Sequence, residues 1–370
     1  MLKSNHFSFN IDVVGSCNLQ CPSCPVGNSE DVYTHKGFME PELLNSIMKK
    51  ATSECEVLCV SLYNWTEPLL HPNLPELVNI VQSYGVSCHL SSNLNILKNV
   101  DLLLSANPAT FRISNSGFTQ EIYGATHKGG KIERVKKNMI TLAESKKRTN
   151  SATKIHVLYH RYLTNLEEEY MMKKFAQSLG FDFIPVWAFM MPLEKLLAYA
   201  DSMEENSMSP ILSPEDYNTI GKLALPLKEA FEVSSRYSDR SCTLKDDQIT
   251  MDFHANVKLC CSVFDSSRFN LASYLTTPIS VLQELKYSAN SEVTCSKCMK
   301  HGIHIYGTYG TDKLNDVAIK NIISHSPIIG LKLYFKEIIL YGLINPPKKI
   351  ARRIKQLIRS VISLFLNRFK

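Results

Sequence analysis

Cys17, Cys21 and Cys24 stand in the stretch Gly15-Ser-Cys-Asn-Leu-Gln-Cys-Pro-Ser-Cys-Pro25. Thiolates are soft metal ligands, and the spacing Cys-x3-Cys-x2-Cys supplies three of them. That is one fewer than the four that close a four-iron, four-sulfur cluster on protein ligands, so one iron is left open to another ligand. Cysteines at such spacings also serve zinc sites and, outside the cell, disulfide frameworks. An apolar, strand-like run over residues 7–14 precedes the triplet and places it on the loop after a first strand.

A second group lies far downstream, at Cys242, Cys260, Cys261, Cys295 and Cys298, with the separations Cys-x17-Cys, a long gap, then Cys-x2-Cys. Four thiolates suit one complete cluster or one structural zinc equally well. Cys55, Cys59 and Cys88 fall in or beside predicted strands and read as small core residues. The eleven histidines show no metal spacing, and His71 and His127 are expected to be structural hydrogen-bonders. Trp187 and Glu194 are candidates for a substrate cavity, although Trp187 with Met190 and Met191 also suits plain packing.

The elements that must position these residues alternate between about 7 and 188. Strands are expected at 7–13, 57–63, 87–91, 110–114, 154–159 and 182–188. Helices are expected over 40–52, 74–84, 131–147 and 166–179, the last with Asn165 as its N-cap. Six strand–helix units in succession predict a parallel sheet with helices outside it and a ligand at the C-terminal ends of the strands. The expected division is a barrel over 1–200, linker helices over 201–240, a small cysteine-bearing domain over 241–310 and a helical tail over 311–370.

In this context the cysteine triplet resembles that of the radical S-adenosylmethionine (SAM) enzymes, which implies an open, partial (β/α)6 TIM-like barrel. In that family the open iron chelates the amino and carboxylate groups of SAM. An electron from the cluster then cleaves SAM to a 5'-deoxyadenosyl radical that abstracts hydrogen from an unactivated carbon. The stretch Asn64-Trp-Thr-Glu-Pro-Leu-Leu-His-Pro72 resembles the family's Gly-Gly-Glu-Pro segment, which implies Thr66 and Glu67 at the SAM amino group. Thr66 stands where glycine is usual, a departure from the usual backbone freedom there. Ser91-Ser-Asn93 is similar to the polar cluster that reaches the ribose or carboxylate of SAM. Arg112-Ile-Ser-Asn-Ser-Gly117 resembles Ile-Ser-x-Asp-Gly, with Ser114 and Asn115 as implied contacts. Asn115 keeps an acceptor where aspartate is common but carries no charge.

The downstream cysteines resemble the auxiliary-cluster extensions called SPASM and twitch. The shorter, one-cluster twitch form implies Cys242, Cys260, Cys295 and Cys298 as ligands of a second [4Fe-4S] cluster with Cys261 beside them; spacing does not separate Cys260 from Cys261. The resemblance implies a radical SAM oxidoreductase-like enzyme acting on a small-molecule or saccharide substrate, for instance by oxidising an alcohol, with flavodoxin or ferredoxin as reductant. A peptide-modifying maturase is the second reading. A zinc-stabilised, membrane-associated scaffold without activity is the reading from another class.

With 44% hydrophobic and 21% charged residues in 370, the composition is that of an ordinary globular protein. No secretory signal is visible in residues 1–10, and eleven cysteines without one point to the cytoplasm and to metal. The net charge is +6, yet the last 25 residues alone carry eight positive charges and no acid, so the remainder sums to −2. A nucleic-acid-binding catalytic domain is therefore not expected. In that tail, after Pro346 and Pro347, apolar residues recur at Ile350, Ile354, Leu357, Ile358, Val361, Ile362, Phe365 and Phe369 with basic residues between. This is the pattern of a helix lying in a membrane interface, and it predicts peripheral contact with the inner face of a membrane.

Overall fold

The computed structural model describes residues 5–28, 37–203, 212–306 and 311–344; the basic amphipathic stretch from 346 lies outside them. Among the described residues, six strands run in sequence order: β1 (His6–Ile11), β2 (Glu56–Ser61), β3 (Ser87–Ser92), β4 (Thr110–Asn115), β5 (Lys154–Arg161) and β6 (Asp182–Trp187). Each pairs in parallel with the next, and helices cross between them, including Pro41–Glu54, Leu74–Ser83, Ile132–Arg148 and Glu169–Ser178. This is the partial (β/α)6 barrel that the sequence predicts.

The strands alternate rather than reading as unbroken apolar runs. Phe7, Phe9 and Ile11 of β1 are buried, as are Leu90 of β3, Phe111 and Ile113 of β4, and Val157 and Tyr159 of β5. These belong to one core with the amphipathic faces of the helices, such as Leu44, Ile47 and Met48 of Pro41–Glu54. Each large side chain so buried contributes about 2 kcal/mol. The intervening residues, among them Ser8, Asn10, Ser91 and Ser114, are only half-buried and share the other face of the sheet. A parallel sheet normally buries both faces, so a polar second face marks a lumen kept for a ligand.

Three further strands were not predicted. β7 (Gln248–Met251) adds in parallel to the outer edge of β1, and β8 (Asn256–Lys258) and β9 (Asn270–Ser273) follow antiparallel. The sheet order is β6-β5-β4-β3-β2-β1-β7-β8-β9, so the C-terminal cysteine region is joined to the barrel through the edge that β1 would otherwise leave open.

One helix boundary differs from expectation. The fourth helix begins at Glu169, and Asn165 is not its N-cap. Asn165 instead accepts from Tyr162 N (2.9 Å) and donates to the carbonyls of Ser116 and His160 (both 2.8 Å), tying the end of β5 to the end of β4. A buried asparagine with main-chain groups on both sides satisfies more polar atoms there than an exposed cap would.

Candidate functional site

Cys17, Cys21 and Cys24 lie on the loop that leaves β1, with Cys24 immediately before the short helical turn Pro25–Asn28. The loop is fixed by bonds from neighbouring strand ends. Glu67 N donates to Ser16 O (3.2 Å), Gln20 N to Lys128 O (2.9 Å), and Asn93 Nδ2 to Asn18 Oδ1 (2.9 Å). Tyr162, just past β5, bonds Ser23. Gly27 permits the closure, because a Cβ there would lie 2.5 Å from Gln20 Cα.

The three thiols are close enough to perturb one another. Burial pushes Cys17 up to about 12, and the nearby Glu67 and Cys24 charges push the same way. Burial also raises Cys21 and Cys24, Cys21 further through the other two sulfurs. Main-chain amides of Asn18 and Leu19 at Cys17, and of Val26 and Gly27 at Cys24, oppose the rise. Such a nest favours thiols until a metal displaces the protons. Asn93 Nδ2 also stands 3.7 Å from Cys17 Sγ.

The SAM-motif residues converge on this loop. Asp12, one residue beyond β1, was not singled out from the sequence, yet its Oδ1 accepts from Asn64 N (3.0 Å), Trp65 N (2.9 Å), Thr66 N (3.0 Å) and Thr66 Oγ1 (2.7 Å). Thr66 thus uses its hydroxyl where a glycine would offer nothing, and it is not among the positive-φ residues. Burial raises Asp12, partly offset by these bonds and by Lys258. Glu67 is buried, and its carboxylate accepts from Asn93 N (2.8 Å) and Leu69 N (3.1 Å), joining the turn after β2 to the end of β3. Burial pushes it up to about 7 against those bonds.

Asn93 Oδ1 accepts from Asn95 N (2.9 Å), and Asn95 Nδ2 donates to Tyr123 Oη (2.7 Å). Ser91 and Ser114 lie on the half-buried face of the sheet. Asn115 ends β4 fully buried; its Oδ1 accepts from Gly117 N (3.0 Å), while its Nδ2 is buried without a partner in the protein. His71 and His127 are structural, the first held by Met39 O (2.9 Å), the second by Ser116 Oγ (2.8 Å).

The downstream cysteines form a second nest. Cys242 precedes the turn Thr243–Asp246, Cys260 follows β8, and Cys295 and Cys298 are one turn apart on the helix Ala289–Lys300. One apolar cavity is lined by Cys242, Cys260, Cys295 and Cys298, with Leu193, Leu259 and Ile303 among its walls. Cys261 is not among its lining residues and stands beside Ser262. Burial is the largest influence on each of these thiols and raises all five. Burial also pushes the Lys286 ammonium down to about 8, against the pull of Cys260, Cys261 and Cys242.

Among the described residues, no group of three or more His, Cys, Asp or Glu is placed to hold a single metal ion. Cluster ligands differ from such a group, because each thiolate binds a different iron. Four convergent thiols on an apolar wall are a donor set suited to an iron–sulfur cluster. Trp187 and Glu194 each bond within the protein. Trp187 Nε1 donates to Asn315 Oδ1 (2.6 Å) under Arg161, and Glu194 Oε1 accepts from Phe264 N (2.8 Å) and Asp265 N (2.9 Å).

A partial parallel barrel with a three-cysteine loop after its first strand defines a class of protein. Residues 11–172 match the model of the Radical SAM superfamily. Members of that superfamily are enzymes that employ a [4Fe-4S] cluster and SAM. SuiB of Streptococcus suis bound to precursor peptide SuiA is similar in fold, with 15% identity, 81% of this chain and 70% of that chain covered, and a TM-score of 0.55. SuiB bound to S-adenosylmethionine gives 14%, 80%, 69% and 0.52. Native anSMEcpe with bound AdoMet and the Cp18Cys peptide gives 15%, 87%, 99% and 0.50. No curated protein sequence matches the chain.

Proposed function

We propose that the chain is a two-cluster radical SAM enzyme that oxidises an alcohol of a saccharide-type substrate to a carbonyl. The observation that carries this reading is the pair of unlike thiol nests, one with three cysteines among polar strand ends, one with four on an apolar cavity. Cys17, Cys21 and Cys24 would hold the first [4Fe-4S] cluster, and Cys242, Cys260, Cys295 and Cys298 the second, in a SPASM/twitch-type region. When bound, these groups supply the electron that cleaves SAM and accept the electron released as a carbonyl forms.

The chain's own residues do the positioning. Asp12 holds the 64–66 turn through four donors, and Thr66 and Glu67 present that turn to the SAM amino group. Asn93 fixes the cysteine loop, with Ser91, Ser114 and Asn115 along the strand ends where the ribose and carboxylate would lie. Four protein thiolates at the second nest leave no coordination position for substrate, which favours electron transfer there over substrate capture. Flavodoxin or ferredoxin serves as the reductant. The tail from 346 brings the enzyme to the inner face of an anionic membrane, near saccharide substrates; among the described residues no helix is long and apolar enough to cross one.

Anaerobically reconstituted protein with dithionite and SAM is expected to form 5'-deoxyadenosine, and Cys17→Ala, Cys21→Ala or Cys24→Ala to reduce this to background. Wild-type formation by any one variant sinks the assignment. Deuterium passing from a carbinol-labelled aminocyclitol into 5'-deoxyadenosine supports saccharide oxidation. Deuterium arriving only from a labelled peptide moves the reading to peptide maturation.

A further inference from the structure

Lys286 is fully buried on the helix Ile279–Lys286 and has no carboxylate as a hydrogen-bond partner. Its Nζ donates to two main-chain carbonyls, those of Lys245 and Gln248, which leaves one of the three ammonium donors. Lys245 is itself buried and lines the cavity that Cys242, Cys260, Cys295 and Cys298 share. Its ammonium pairs with the half-exposed Glu292 (2.9 Å) and lies 3.6 Å from the centre of the Tyr287 ring. The turn it belongs to begins at Cys242, whose carbonyl accepts from Lys245 N (3.0 Å).

Burying an ammonium against neutral thiols and apolar walls is costly unless an anion shares the site; Glu292 answers Lys245, whereas Asp246 acts on Lys286 only through space, without a hydrogen bond. Four thiolates around an iron–sulfur core supply such an anion, since their charges exceed what the irons and sulfides cancel. We propose that Lys286 and Lys245 form a buried cationic wall that neutralises a cluster bound by these four cysteines and holds its reduction potential up. The proposal rests on the second-cluster reading given above. Its physical basis is that a cation in a low-dielectric site favours the more negative, reduced state of the cluster, through hydrogen bonds and charge of the kind that set such potentials.

The test uses the full chain with Cys17, Cys21 and Cys24 replaced by alanine, so that only the second nest takes iron, and reads iron content and the midpoint potential by electron paramagnetic resonance. Lys286→Met and Lys245→Met are each expected to retain about four irons and to lower the midpoint by at least 59 mV, a tenfold change in a one-electron equilibrium. Lys245→Arg, which keeps the charge, is expected to keep the parent midpoint. If the parent holds no iron, the second-cluster reading falls and the proposal with it. If the parent loads iron and either methionine variant loads it at an unchanged midpoint, the proposal alone is overturned. Should Lys286→Met fail to take up iron, Lys245→Met decides by the same midpoint criterion.

Discussion

The two cysteine nests of this chain are built by opposite means. The first lies on a loop and is shaped by side chains from the ends of β3 and β5 and by the main-chain amide of Glu67 after β2, so its geometry is only as firm as that polar network. The second takes two of its thiols from one face of a regular helix and the others from chain segments flanking the short strands β7 and β8, around an apolar cavity with buried lysines behind it. A loop leaves room for one iron to meet a ligand that comes and goes. A closed wall excludes such a ligand and preserves what it holds. The contrast teaches that sequence spacing states how many thiols are available, while the supporting elements decide whether the site is open or shut.

The largest effect that would break the contrast is in iron content. Wild type is expected to bind about eight irons per chain, the sum of two four-iron clusters. Replacing Cys17, Cys21 and Cys24 together is expected to leave about four, and adding Cys260→Ala to leave near zero, while adding Cys261→Ala leaves the four in place. Iron and sulfide analysis of the reconstituted proteins checks this. Equal loss from the Cys260 and Cys261 variants would show that the cavity does not choose between the neighbours.

A smaller effect probes the polar network alone. Asp12→Ala removes the shared acceptor of three main-chain amides and the Thr66 hydroxyl, all in a buried turn. Leaving such donors unsatisfied is expected to cost about 3–5 kcal/mol and to weaken SAM binding. Iron at the second nest should stay. Urea unfolding with equilibrium SAM binding measures both, and unchanged stability would mean that the turn holds itself.

Much of this was legible in the sequence where the pattern is long and periodic. All six barrel strands lie within about two residues of their expected bounds, because each is a short run, alternating in β1 and β5 and continuously apolar in β2 and β6, set between longer helical stretches. β7, β8 and β9 escaped because strands of three or four residues carry too few alternations to be distinguished from loop. Asp12 had a signal that was passed over, an acid at the end of the run Phe7-Ser-Phe-Asn-Ile-Asp12, which a strand would not bury without donors to satisfy it. Cys260 and Cys261 could not be separated because the choice depends on how the chain turns after β8, a tertiary matter. Thr66 looked like a departure from a glycine position, and only the Asp12 contact shows what its hydroxyl does.

The least effect expected, and the one that sharpens the comparison by pH, concerns buried histidines. Among the described residues the barrel holds four whose pKa burial lowers, His71, His89, His127 and His160, and the second nest has one, His304, beside it. His127 is the extreme case. Burial, with His160 nearby, pushes it down to about 3, while it stacks 4.5 Å from Tyr123, whose hydroxyl accepts from Asn95 in the network that holds the first nest. Between about pH 6.5 and 3 the unfolded chain binds this proton and the folded chain does not, so stability is full above pH 6.5 and falls as the pH drops. By pH 5 the loss from this residue alone is about 2 kcal/mol. His127→Gln is expected to flatten that slope by the same amount, measured as the difference in urea unfolding free energy between pH 7.5 and pH 5. Four of these five histidines stand in the barrel, so SAM binding is expected to decline at a higher pH than iron is lost from the second nest. Parallel pH slopes for wild type and His127→Gln would remove His127 as the cause.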